Sequence, residues 1–131
     1  MKDSFFQFSN PRITHIEFTE NMDFDESLFE GINISNSVSI TPIDCEDNNM
    51  AQVQLTTKIG DDLDVFPFVL IISAMAEFIC DVERLENFDD LLKINATSLL
   101  YSYIRPIVAL VTSQAGFTPL HLPLVNFVDN E

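Results

Sequence analysis

The sequence predicts an α+β fold, a four-stranded antiparallel meander sheet packed against a long, kinked C-terminal helix. Three observations predict it. Apolar residues recur with period two through the first part of the chain, as they do where successive side chains point to opposite faces of a strand. Later they recur at helical spacing. Acid is also segregated: of 21 Asp and Glu, none lies between residues 91 and 128.

The first strand is expected from about residue 12 or 13 to 18. In the second, Ile32, Ile34, Val38 and Ile40 alternate with Asn33, Ser35, Ser37 and Ser39. In the third, Ala51, Val53, Leu55, Thr57 and Ile59 alternate with Gln52, Gln54, Thr56 and Lys58. Pro42, Asp44 and Asp47 supply turn chemistry between them, and Gly60 with Asp61 and Asp62 makes the next connection. Residues 68–80 differ, because Phe68, Leu70, Ile72, Ala74, Ala76 and Phe78 line one face while Val69, Ile71, Met75 and Ile79 line the other. A strand apolar on both faces is covered on both.

Helix follows, with Asn95 or Asp90 as its expected cap and Gly116 at its end. At helical spacing its apolar residues, from Leu99 through Tyr103, Ile107 and Ile104 to Tyr101, fill an arc of roughly 200°. A helix on one sheet needs a stripe only somewhat over roughly 100° wide. This helix therefore meets two apolar surfaces. Pro106 removes one backbone hydrogen bond and predicts a kink over residues 102–105. The expected organisation is one domain over residues 1–131: strands at about 12–80, a linker at 81–90, the helix at about 90–115 and a Pro/Leu-rich loop at 117–127.

Composition narrows the function. Twelve Phe and 47% hydrophobic residues mean a packed core, and a net charge of −15 repels nucleic-acid phosphates and anionic membrane surfaces. The apolar run at 65–76 is interrupted by Pro67 and Ser73 and is too short to span a bilayer. The N-terminus has no signal-peptide pattern, and Cys45 and Cys80 lack metal-ligand or CxxC spacing, so a cytoplasmic protein with reduced thiols is expected. His15 and His121 stand in no metal-binding spacing, and Gly31, Gly60 and Gly116 form no phosphate-cradling loop. Asp61, Asp62 and Asp64 lack the glycine and closing Glu of a calcium loop. Asn95-Ala96-Thr97 reads as helix-start chemistry rather than a glycosylation site. No enzyme, metal or cofactor is expected. What remains is more apolar surface than one such domain covers, which signals contact with another polypeptide.

Residues 99–127 carry a pattern of their own: Tyr103 and Arg105 in the helix, then Gly116-Phe117, Leu120, Leu122 and the closing Val125-Asn126-Phe127. This pattern resembles the long helix and following loop of the SecB export-chaperone family, and the likeness covers about residues 12–127. The resemblance implies a SecB-like sheet and helix, assembly into a dimer or dimer of dimers, and ATP-independent holding of unfolded polypeptide clients in hydrophobic grooves. Phe68, Leu70, Phe78, Leu100, Ile104, Ile107 and Val111 are then the candidates for client binding or the oligomer interface. In exporting relatives a C-terminal tail and an acidic sheet face contact the SecA motor. Glu17 and Glu20 are the nearest acids here, and the chain reads as a short variant without the C-terminal helix. The alternative is a binding module, an adaptor or toxin–antitoxin-associated chaperone with one dedicated partner.

Overall fold

The computed structural model describes residues 6–43, 48–61, 65–81 and 92–125. Its central element is β5, Phe68–Asp81, whose two apolar faces leave it no place at an edge. The other strands are β1 (Phe6–Phe8), β2 (Arg12–Glu20), β3 (Ile34–Ile43) and β4 (Asn48–Ile59). All pair antiparallel. From β3 to β4 to β5 the order is the expected meander, with Val38 opposite Leu55 and Leu55 opposite Ala74.

The first strand departs from that order. β2 pairs with β5 rather than with β3, and β1 pairs with β5 just beyond it, so the two lie in line along one edge. The sheet is four positions wide and built from five strands, with residues 21–33 crossing to the far edge. The reason is β5 itself, since a strand this apolar needs both of its hydrogen-bonding edges occupied. A bulge near Thr14 keeps Ile13, Ile16 and Phe18 in phase with Ala74, Ile72 and Leu70.

At the junction of β1 and β2, Ser9 and Arg12 converge on Glu77. The Arg12 guanidinium lies 3.3 Å from the carboxylate, and the Ser9 hydroxyl donates to it at 2.9 Å. Arg12 first, then Ser9, hold the Glu77 carboxyl below its ordinary pKa. Its contribution to folding is thus complete above the ordinary carboxylate range and is lost as pH falls through the lowered value.

The helix α1, Thr97–Gln114, lies across β4 and β5. Thr97, Leu100, Tyr101, Ile104, Val108 and Thr112 form its buried stripe, facing Val53, Leu55, Leu70, Ile72 and Ala74 in one apolar layer. It is entered through a π-turn, Leu92–Ala96, which delivers Ala96 already in helical conformation. No side chain caps the start, so Asn95 does not serve as the expected cap; Asp90 lies outside the described residues. The end is as expected: Gly116 has φ +96°, and Gly116 and Phe117 donate to the Ser113 and Thr112 carbonyls, a Schellman closure. The helix is continuous through Pro106, which faces solvent with Ser102, so water can reach the Ser102 carbonyl that proline leaves unbonded.

With part of the π-turn, Ile94–Gln114 has 21 residues and a mean hydropathy of 1.2, long and apolar enough to cross a membrane by length and composition. Sequence reading of residues 65–76 alone overlooked this stretch. Its apolarity has two uses, since the buried stripe covers the sheet and Tyr103 (37% exposed) and Leu110 (58%) point outward.

Gly60 closes the turn before β5 with φ +88°, and a Cβ there would stand 2.6 Å from the Phe68 carbonyl oxygen. Gly60→Ala is expected to cost about 1–3 kcal/mol, read as a lower denaturation midpoint.

Candidate functional site

Three phenylalanine rings meet where β2, β5 and the end of α1 come together. Phe18 stacks on Phe68 with ring centroids 5.3 Å apart, and Phe117 leans on Phe68 at 5.0 Å. The strand register explains the first pair, because Phe18 lies opposite Leu70, two residues from Phe68 and on the same face. The Schellman closure explains the second, because it turns Phe117 back off the helix end toward the sheet.

The crossing segment 21–33 walls this cluster. Asn21 holds it in place, its N–H donating to the Pro67 carbonyl at 2.9 Å and its side chain to the Phe66 carbonyl at 3.1 Å. A short 3-10 turn, Glu26–Leu28, is capped by Asp25, and Phe24 meets Phe29 edge-on at 5.8 Å. Between this wall and residues 117–120 runs an open groove of about 760 Å³, with Phe24, Phe29 and Ile32 on one side, Pro67 and Phe68 below, and Phe117 and Leu120 opposite. Its rim is acidic. Glu26 lines the groove itself, and Asp23, Asp25 and Glu30 stand beside it in the crossing segment, which has no Lys or Arg. Hydrogen bonds from Ser27 keep the Asp25 carboxyl below its ordinary pKa.

Residues 117–125 form a strap along α1, fastened by three helix side chains in turn. The Thr112 hydroxyl accepts from the Leu120 N–H at 2.9 Å, the Arg105 Nε donates to the Leu122 carbonyl at 3.0 Å, and the Tyr101 hydroxyl donates to the Pro123 carbonyl at 2.7 Å. Burial raises the Tyr101 pKa against a smaller opposing pull from Arg105, which keeps the phenol a neutral donor. Leu122, within the strap, turns its side chain into the core.

The seven apolar candidates divide by position. Leu70, Phe78, Leu100 and Ile104 are fully buried between sheet and helix within the single chain. Phe68 is nearly buried yet forms the groove floor, and Ile107 and Val111 are half-buried at the margin of the core. Glu17 and Glu20 are exposed but stand on opposite faces: Glu17 is opposite Ile71, away from the helix and 3.3 Å from His15, whereas Glu20 is opposite Phe68. They do not form one acidic patch. Among the described residues no three His, Cys, Asp or Glu side chains converge as metal ligands do.

The family model described as preprotein translocase subunit SecB matches residues 24–129. The chain belongs to the SecB family. Family membership supports a chaperone role, and the family is generally non-enzymatic. It is 29% identical to the protein-export protein SecB of Anaplasma phagocytophilum over 73% of this chain and 68% of that one. It is 24% identical to an uncharacterized protein of Methanocaldococcus jannaschii over 92% of this chain and 78% of the other. The SecB-like chaperone of Mycobacterium tuberculosis, solved with a peptide of the HigA1 antitoxin, shares the fold with a TM-score of 0.63 and 15% identity over 92% of this chain and 90% of that one.

The SecB pattern in the sequence now has physical content. Arg105 clamps the strap, Gly116 closes the helix, and Phe117, Leu120, Leu122 and Val125 pack on the core or groove. Asn126 and Phe127 lie outside the described residues. Sequence reasoning missed Phe24 and Phe29, whose signal was aromatic residues inside an acidic, non-alternating segment, and Thr112, which carried none; it placed Ile32 in the second strand, which begins at Ile34 and leaves Ile32 on the groove wall. Thr112→Val keeps the shape but leaves the Leu120 N–H without its acceptor. A loss of about 1–3 kcal/mol is expected, together with faster proteolysis within residues 117–125.

Proposed function

We propose that the protein is an ATP-independent holdase that binds unfolded or preprotein segments in the groove between the crossing segment and the strap. The observation that carries this reading is the groove itself, floored by aromatic rings and open to solvent along one side. Apolar rings recognise burial rather than sequence, and the acidic rim favours clients with basic residues beside their apolar ones. Nothing in this binding calls for a nucleotide or a metal.

Magnitudes point to more than one subunit. Burying one client phenylalanine contributes about 2 kcal/mol, while millimolar affinity already corresponds to about 4 kcal/mol. Holding a chain firmly therefore takes several grooves on one assembly, where linkage raises avidity. Tyr103 and Leu110 on the outer side of α1, with Ile107 and Val111 at the margin, are the proposed surface for a dimer or dimer of dimers. A cytoplasmic place and a role in export fit this reading, with Glu17 as the acid on the open sheet face for a SecA-type motor.

A second reading is a dedicated chaperone for one partner, as in toxin–antitoxin pairs. The antitoxin peptide bound by the mycobacterial SecB-like chaperone favours it.

In micromolar excess and without ATP, the protein is expected to suppress aggregation of several denatured model proteins, and Phe29→Asp to weaken that protection about ten-fold. Suppression confined to one partner would select the second reading, and none with any client would end the first. Light scattering is expected to give a mass above one chain, reduced by Leu110→Glu.

A further inference from the structure

Cations are scarce in this chain, and those whose side chains are described are neutralised with one exception. Arg12 lies 3.3 Å from Glu77 and Lys58 3.2 Å from Asp61, but Arg105 has no carboxylate partner among the described residues. Its Nε holds the strap through Leu122, which leaves its two terminal nitrogens without a hydrogen-bond acceptor among those residues. Arg105 lines a second hollow, of about 370 Å³, with Ser102, Pro106 and Ala109 of α1 and His121 and Leu122 of the strap.

Both titratable groups around this hollow are basic. Neither element that builds it contributes an acid, because residues 92–125 contain no Asp or Glu in a chain of net charge −15. A guanidinium with free planar donors, a histidine ring and a serine hydroxyl around one concavity are suited to an anion. A single carboxylate meets less repulsion from the rest of the protein than a multiply charged phosphate does.

We propose that this hollow binds a carboxylate of a bound polypeptide and so sets the direction in which the client lies. The inference rests on the polypeptide-binding reading above. The strap is the divider: Leu120 borders the aromatic groove and its neighbour His121 borders the cationic hollow. An acid-rimmed aromatic site on one side and a cationic site on the other make a bipolar surface. A client with basic and aromatic residues toward one end and an acid toward the other lies on it in one orientation.

The test uses fluorescent, unstructured peptides of about ten residues, spanning roughly 33 Å, with Phe and Lys toward one end. One carries Glu toward the other end and an amidated C-terminus, one has Gln in place of that Glu, and one has Gln with a free C-terminal carboxylate. Carboxylate peptides are expected to bind about three- to ten-fold more tightly than the amidated Gln peptide. A gain with Glu alone assigns a side-chain carboxylate, and a gain with the free C-terminus alone assigns the chain end. Ser102→Asp places a carboxylate in the hollow without touching the strap bond and is expected to abolish the difference while the Gln peptide still binds. Equal affinity of all three peptides for both the unaltered protein and Asp129→Asn/Glu131→Gln overturns the carboxylate site and leaves the holdase standing. Binding of none of them removes both. A preference that emerges only in Asp129→Asn/Glu131→Gln assigns the hollow to the chain's own acids and overturns the client role.

Discussion

The structure depends on the burial of β5. This strand presents apolar side chains to both faces, and its two edges are taken by β4 on one side and by β1 and β2 on the other. On the helix face Leu70, Ile72, Ala74, Ala76 and Phe78 are sealed beneath α1. On the open face Val69, Ile71, Met75 and Ile79 are half-buried, shielded at their margins by longer neighbours such as Gln52, Gln54 and Arg12. Because β5 takes β2 as a neighbour, residues 21–33 must cross the end of the sheet, and that crossing builds one wall of the groove.

The opposite wall follows from the end of the helix. Gly116 reverses the chain through a conformation that glycine adopts without strain, and the strap then runs back along the helix it has just left. Tyr101, Arg105 and Thr112 fasten it through strap backbone atoms, and the buried Leu122 side chain holds it to the core. The groove is thus a seam between two connecting segments, each pinned to the sheet or helix beside it.

Charge divides the molecule along the same seam. The crossing segment is acidic, while the helix and strap carry no acid. Leu28, Phe29 and Leu110 are exposed on a chain of net charge −15. The acid-free helix leaves Tyr103 and Leu110 open to contact with another chain.

The sequence alone determined the α+β class, the phase of β3, β4 and β5, the glycine at the helix end and the excess width of the helical arc. These are local properties, set by side-chain period and backbone sterics. Likeness in Tyr103, Arg105, Gly116 and Phe117 added the family. Tertiary structure alone decided that the first strand joins β5 rather than β3, because edge pairing depends on which distant strand has a vacant edge. It decided that Leu70, Phe78, Leu100 and Ile104 are sealed in the core while Phe24, Phe29 and Ile32 line the groove. Apolar character is written in the chain, but which apolar residues stay open is set by packing between segments far apart in it.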